Sequence, residues 1–314
     1  MLAALPTSLE ARPGAGVSAL IFNVMRFATH DGSGIRTTVF FKGCPLACWW
    51  CHNPEGQSFQ PERFYFEERC RKCLDCAAVC PQHAIREVDG RITTSALCDC
   101  CGRCTQACMA EARQIAGRRY TVGELIAEVE KDAVFFDESG GGVTLSGGEP
   151  MAHPAFVAAF LCACRERGIR SVIETCGFAQ TDTFVQTALL ADEILLDLKL
   201  VDPERHLRYT GVANDVILRN ARSLAARHRA VAVRIPVVPG INDSDADMAQ
   251  FAACLAGLRP VRVELLPYHR IGTDKYRRLG AAYKLADTPQ PTPAGMARFR
   301  QVLTQAGLHV TIGG

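Results

Sequence analysis

The sequence predicts an α/β protein, a parallel sheet or barrel interrupted by one inserted, cysteine-rich segment. Two observations carry that reading. Strand-like and helix-like runs alternate through most of the 314 residues, and repeated βα alternation implies parallel strands joined by right-handed crossovers. Across residues 64–116 the alternation breaks, and the chain becomes rich in Cys, Arg and short loops with little apolar periodicity. Such a segment has an inorganic core in place of a hydrophobic one.

The expected strands are 18–25, 37–42, 143–146, 171–176, 193–199, 230–237 and 261–266, short apolar runs bounded by turn residues. Helix starts lie between them. Thr121 with Glu124 fits a capping box, Pro154 suits a first helical turn, and Gly168 is placed to stop that helix. Ser244 with Asp247 and Thr292 with Pro293 open two more. The expected organisation is a loose leader over 1–17, a main domain over 18–63 and 117–314, and the insertion over 64–116.

A chain of this length buries enough core for one barrel-sized domain plus a small insertion. Hydrophobic residues make up 48% and the net charge is +2. That is not the basic surplus of a protein held on nucleic acid, so no such partner is expected. No apolar run approaches the ~18 residues of a membrane span, so no membrane is expected either. Residues 1–16 lack the basic start and apolar stretch of a secretory signal. The expected location is the cytoplasm.

Sixteen cysteines in such a chain are not a disulfide framework. Three of them, Cys44, Cys48 and Cys51, stand in C-x3-C-x2-C spacing directly after the apolar run Thr37–Phe41. Four thiolates would close a [4Fe–4S] cube; three leave one iron open for chemistry. Two longer runs follow. Cys70, Cys73, Cys76 and Cys80, then Cys98, Cys101, Cys104 and Cys108, each match the bacterial ferredoxin spacing, in which the fourth cysteine ligates the other cluster. The expected sets are Cys70, Cys73, Cys76 and Cys108 on one cube, and Cys98, Cys101, Cys104 and Cys80 on the second. Zinc is the minor alternative. Cys162, Cys164 and Cys254 are expected as small core residues, and Cys100 as a spare thiol. Clusters with every iron ligated cannot bind substrate, so electron relay and simple stapling both stay open for this pair.

The run Ser146-Gly147-Gly148-Glu149-Pro150 ends a strand. Its glycines would let a ligand lie against the backbone, and Glu149 would receive an ammonium. Neither phosphate-loop pattern is present.

With the cysteine triad, this run resembles the cluster loop and methionine-supporting motif of the radical S-adenosylmethionine (SAM) superfamily. Five further segments occur in order: Asp31-Gly32-Ser33-Gly34-Ile35-Arg36, Glu174-Thr175-Cys176-Gly177, Asp197-Leu198-Lys199, the stretch from Arg234 to Asp243, and Leu265-Leu266-Pro267-Tyr268-His269. Together they resemble the glycyl-radical-enzyme activating enzymes, in the subgroup with a two-cluster ferredoxin insertion. The resemblance runs from about Ile21 to the C-terminus.

That resemblance implies an incomplete parallel (β/α)6-type barrel with an inserted α+β dicluster ferredoxin-like domain. It implies three [4Fe–4S] clusters, one catalytic and two auxiliary, and SAM as cofactor. Cys44, Cys48 and Cys51 would hold the catalytic cluster. Trp50 and His52 would meet the adenosyl end of SAM, and Gly147, Gly148 and Glu149 the methionine end. Asp197, Leu198 and Lys199 resemble the family's D-L-K contacts, His269 its ribose-side contact, and Arg234 and Asp31 are weaker candidates that would face the incoming protein loop. Some relatives bind a monovalent cation where Glu174, Thr175 and Asp197 lie, although here Glu replaces the expected Asp. The implied activity is reductive cleavage of SAM and removal of a hydrogen atom from a backbone glycine of a partner glycyl radical enzyme, with a flavodoxin or ferredoxin as electron donor. The rival readings are a radical SAM enzyme acting on a small molecule and a ferredoxin-type electron carrier. The carrier leaves the three-cysteine loop and the S-G-G-E-P run unexplained.

Overall fold

The computed structural model describes residues 16–29 and 31–313; most of the expected leader lies outside them. Thirteen strands are present among the described residues: β1 (Ser18–Ala28), β2 (Arg36–Phe41), β3 (Glu62–Tyr65), β4 (Ile85–Val88), β5 (Arg91–Thr94), β6 (Arg113–Ala116), β7 (Arg118–Thr121), β8 (Gly142–Gly147), β9 (Ser171–Thr175), β10 (Glu193–Asp197), β11 (Val231–Val237), β12 (Arg262–Pro267) and β13 (Val310–Ile312). One nine-stranded sheet runs in the order β13-β12-β11-β10-β9-β8-β2-β1-β7. Strands β2 and β8 to β13 are mutually parallel, whereas β1 pairs antiparallel with both β2 and β7. The parallel expectation therefore holds for the body of the sheet and fails at one edge, where β1 returns directly to β2 without a helix between them.

The parallel strands β2 and β8 to β12 are largely buried on both faces, the usual state of a sheet covered by crossover helices, while the edge strand β13 is mostly exposed. Ile173, Leu196, Val233 and Val263 join Phe156, Phe160, Phe184, Leu255 and Phe299 from the helices in the main core. Their chain neighbours Val172, Leu195 and Ala232 form a separate cluster, because successive strand residues point to opposite faces. Helix starts follow the local chemistry. Thr121–Glu124 and Ser244–Asp247 are capping boxes, and Pro154 and Pro293 occupy first helical turns.

Cys162 departs from its expected place in the core. It is exposed while Cys164 is buried. Two residues apart on the helix Pro154–Glu166, they cannot share a face.

The insertion is closed at its base by β3 pairing antiparallel with β6, and β4–β5 is a hairpin within it. Glu62 and Arg63 also take part in this pairing. Its two cysteine runs repeat in backbone as well as in sequence. Lys72, Leu74 and His83 have positive φ (55°, 65° and 46°), and 28 residues later so do Cys100, Gly102 and Glu111 (56°, 79° and 50°). One helical turn follows each (Asp75–Ala78 and Arg103–Gln106). The repeat is crossed. β3, which precedes the first run, pairs with β6 after the second, while β5 before the second pairs with β4 after the first.

Two histidines, His206 buried and His153 half-buried, make stability sensitive to acid. The His153 ring contacts the Lys42 carbonyl at 2.6 Å, and that of His206 contacts the Val212 carbonyl at 2.7 Å. Burial holds both below the ordinary imidazole value. The unfolded chain takes up protons below about pH 6.5 that the folded chain refuses, so stability falls as pH drops through that range. His206→Gln is expected to flatten the slope of unfolding free energy against pH by up to one proton, measured by urea titration between pH 7 and pH 5.

Candidate functional site

The C-terminal ends of the parallel strands, where ligands gather in barrels of this kind, surround one cavity of about 470 Å³. Its wall takes Cys44, Cys48 and Cys51 from the loop after β2, Ser146, Gly147 and Gly148 from β8, and Glu174 to Cys176 from β9. Asp197 and Lys199 come from β10, Arg234 from β11, His269 from beyond β12, and Gly313 from beyond β13. Residues after opposite ends of the parallel set thus meet across one space, so the sheet curls.

The cysteine loop is fixed by its backbone. Ala47 N donates to Thr210 O at 2.7 Å and Trp49 N to Tyr209 O at 3.0 Å. Trp50 is 5% exposed, packed with Leu200, Val238, Ile241, Tyr268 and Leu285. The Tyr276 hydroxyl donates to Cys51 O at 3.1 Å. These contacts leave the three thiols at the cavity wall and independent of one another for support.

The glycines of the S-G-G-E-P run also allow protein backbone to pack closely. A Cβ on Gly148 would stand 2.4 Å from Gly56 O and 2.6 Å from Gly43 O, and one on Gly147 2.4 Å from Phe41 N. The missing side chains let two stretches of protein backbone meet. Gly148 N donates to Phe41 O at 2.7 Å, and Glu149 N to Gly43 O at 2.9 Å. The run thereby docks against the start of the cysteine loop, while Gly147 and Gly148 still border the cavity.

Glu149 does not face a ligand. Its carboxylate is 1% exposed and accepts from Thr175 Oγ1 at 2.6 Å, Cys176 N at 2.8 Å and Met151 N at 2.9 Å. It braces β8 against β9, and its expected role as an ammonium receptor is corrected. Leu198 is likewise a core side chain, 1% exposed, and only its neighbours Asp197 and Lys199 reach the cavity. Glu149→Ala would strand buried donors at about 1–3 kcal/mol each. The expected result is a lower unfolding midpoint, with the loss also present when SAM is absent; a ligand contact would leave the apo midpoint unchanged.

Four charged side chains form one half-buried network on the cavity wall. Lys199 Nζ lies 2.8 Å from Asp197 Oδ2, Arg234 Nη1 pairs with Glu174, and Arg234 Nε lies 3.7 Å from Asp197 Oδ1. The Ser146 hydroxyl also donates to Glu174. Burial alone would discharge these groups, but for Lys199 the Asp197 carboxylate together with Cys48 and Cys176 outweighs it and raises the ammonium above its ordinary value. Burial pushes the Glu174 carboxyl up, against the pull of Arg234, while Asp197 between two cations is held below the usual carboxylate range despite its burial. The Glu174 side chain thus reaches a guanidinium and a hydroxyl, which satisfy it.

The fit to a zwitterionic nucleoside cofactor rests on atoms left without partners. Asp197 Oδ1, Arg234 Nε and His269 Nδ1 are buried without hydrogen-bond partners, and all three residues line the cavity. His52 stacks on His269 with ring centroids 4.1 Å apart, and its Nε2 lies 3.0 Å from His269 O. Asp31 reaches the same wall, held by Thr38 Oγ1 at 2.6 Å.

Sequence reasoning missed the support behind this loop. Arg36 is 1% exposed, its Nε donating to Thr144 Oγ1 at 2.6 Å and its Nη groups to the carbonyls of Ser33 and Val143. Lys42 is fully buried between Glu55 O and Glu62 Oε2. The only signal for either is a charged residue ending or starting an otherwise apolar strand.

In the insertion, Cys80 meets the second run: Cys80, Cys98, Cys101 and Cys104 line one small cavity. Backbone N–H groups point at the sulfurs, Ala84 to Cys80 at 3.4 Å and Ala112 to Cys108 at 3.3 Å. Among the described residues no three His, Cys, Asp or Glu side chains are placed to hold a single metal ion.

Comparison with known proteins agrees with this geometry. The radical SAM superfamily profile matches residues 96–252, and a 4Fe-4S single cluster domain matches residues 30–89, which include the Cys44–Cys51 loop. The chain is 39% identical over 302 residues to the trans-4-hydroxy-L-proline dehydratase activating enzyme of Clostridioides difficile, covering 95% of this chain and 100% of that one. It is 44% identical over 270 residues to the isethionate sulfite-lyase activating enzyme of Nitratidesulfovibrio vulgaris, covering 83% and 88%. The crystal structure of QueE from Escherichia coli shares the fold at 13% identity and TM-score 0.50, covering 95% of this chain and 94% of that one.

The chain belongs to the radical SAM superfamily and, within it, to the activating enzymes of glycyl radical enzymes. It is a radical SAM enzyme that activates a partner glycyl radical enzyme. No helix among the described residues is long and apolar enough to cross a membrane.

Proposed function

We propose that Cys44, Cys48 and Cys51 hold a site-differentiated [4Fe–4S] cluster, and that the cavity beside them takes SAM. When bound, that pair supplies one-electron reductive cleavage of the sulfonium and a carbon radical able to take hydrogen from a glycine α-carbon. The protein's own part is orientation and charge. The Lys199 ammonium is the counter-charge for the carboxylate of the methionine end, and the unpaired Asp197 oxygen is an acceptor for its ammonium. The His52–His269 stack and Trp50 form the wall for the nucleoside end. The guanidinium of Arg234 takes the place of the monovalent cation that some relatives keep near Glu174, Thr175 and Asp197.

The observation that carries this reading is that all three thiols and all four network charges border one space at the strand ends. The presence of Asp31 at its rim supports a wall that the partner's glycine loop would approach.

We further infer a dicluster insertion. Cys70, Cys73, Cys76 and Cys108 would hold one auxiliary cluster, and Cys98, Cys101, Cys104 and Cys80 the other. The crossed strand pairing at the base of the insertion supports that exchange of fourth ligands. A flavodoxin or ferredoxin in the cytoplasm is the proposed donor. Iron and sulfide analysis with Mössbauer spectroscopy of anaerobically reconstituted protein tests this assignment. Three cubanes are expected, with one lost on replacing Cys44, Cys48 and Cys51 together. A mononuclear zinc signal, or a cubane count unchanged in that variant, would contradict it.

A further inference from the structure

The two cysteine runs repeat at 28 residues, yet the side chains facing them do not. Arg113 follows Cys108 by five residues; its counterpart, five after Cys80, is Ile85. Across the paired strands the same exchange recurs. Arg63 stands opposite Ile115 in the β3–β6 pair, and the equivalent place opposite Glu87 in the β4–β5 pair is Ile92. Two arginines in one half correspond to two isoleucines in the other.

Both arginines line the small cavity bordered by Cys80, Cys98, Cys101 and Cys104, which Cys100 and Ile85 also reach. Arg113 is 5% exposed and stacks on Tyr65 at 5.0 Å. Its Nη1 donates to Thr94 Oγ1 at 2.9 Å, while its Nη2 is buried with no partner. A buried guanidinium nitrogen without an acceptor is costly. The acceptors that would relieve it here are the sulfurs of this cysteine set and of whatever they hold. Ile85 and Ile92 join Cys76 in an apolar cluster that Cys70, Cys80 and Cys104 also border, and no arginine lies in it.

We propose that Arg113, assisted by Arg63, splits the potentials of the two auxiliary clusters, so that the one held by Cys80, Cys98, Cys101 and Cys104 is reduced first. The inference rests on the dicluster reading given above. Reduction adds negative charge to a cluster. A nearby positive charge and a hydrogen bond to its sulfur stabilise that reduced state, and an apolar surround does not. An electron entering the insertion therefore settles on the Cys98 side. Two near-identical ligand sets become an ordered pair through the residues beside them.

The test is a potentiometric titration followed by EPR on full-length protein in which Cys44, Cys48 and Cys51 are replaced, leaving only the auxiliary sites. Two separate reduction steps are expected. Arg113→Met should lower the higher step by at least tenfold in its equilibrium constant, about 59 mV for one electron. Arg113→Lys should keep most of the gap. Arg63→Met, on the same site, should narrow the gap less, and it carries the test if Arg113→Met loads poorly. Two clusters that titrate as in the parent in both methionine variants would overturn the inference. Fewer than two clusters in the parent would instead overturn the dicluster reading, which the iron count reports independently.

Discussion

Cys48→Ala is expected to reduce glycyl-radical formation in the partner to background while leaving a folded protein that still carries its auxiliary clusters. The loop that bears Cys48 is held by the Ala47–Thr210 and Trp49–Tyr209 backbone hydrogen bonds and by the burial of Trp50. None of these uses the thiol. Losing one of three protein ligands, however, leaves a cube with two open irons. Circular dichroism, iron content and EPR after incubation with SAM and partner separate the two effects. Native circular dichroism with one cluster lost is the expected outcome. A variant that retains all its iron and its radical yield would show that the triad is not the catalytic ligand set.

Arg234→Met is expected to lower stability by an amount that depends on pH. Arg234 is the cation paired with Glu174 and lies within reach of Asp197. Removing one partner from this half-buried ion pair leaves an uncompensated charge, at a cost below the roughly 3–5 kcal/mol of a fully buried pair. The sign with pH is fixed. Burial already raises the Glu174 carboxyl, and without the guanidinium it rises further. The folded variant thus gains a proton that the parent does not hold. Its deficit is greatest at neutral and higher pH and shrinks as acid protonates Glu174. Urea unfolding of parent and variant at pH 8 and pH 6 should show the gap closing on acidification. Arg234→Lys, which keeps the charge, should recover part of the loss at pH 8.

The same network explains why part of the site was legible in the sequence and part was not. The seven expected strands fall within a few residues of β1, β2 and β8 to β12, because each is a short apolar run whose period and flanking turns are local. The short edge strands β7 and β13 escaped, since three or four residues such as Val310–Ile312 carry no readable period. Cysteine spacing suggests the proposed ligand sets because a cube constrains neighbours along the chain. Glu149 was misread because sequence reports a carboxylate's presence and not who donates to it. Thr175, Cys176 and Met151 come from β9 and the turn beyond β8, and only folding brings them together. The two glycines were recognised as close-approach positions, but the approaching backbone is the protein's own. Arg36 and Lys42 look like surface residues by type, and their burial depends on carbonyls from distant segments.

Binding of SAM to a cubane held by Cys44, Cys48 and Cys51 is the claim on which the rest depends. The most direct measurement is EPR of the anaerobically reduced, fully reconstituted protein before and after SAM is added, then again with the partner glycyl radical enzyme. The account predicts a change in one cubane signal on addition of SAM, absent in Cys48→Ala, followed by a glycyl doublet in the partner. Cluster signals indifferent to SAM, with no doublet under any low-potential reductant, would contradict it.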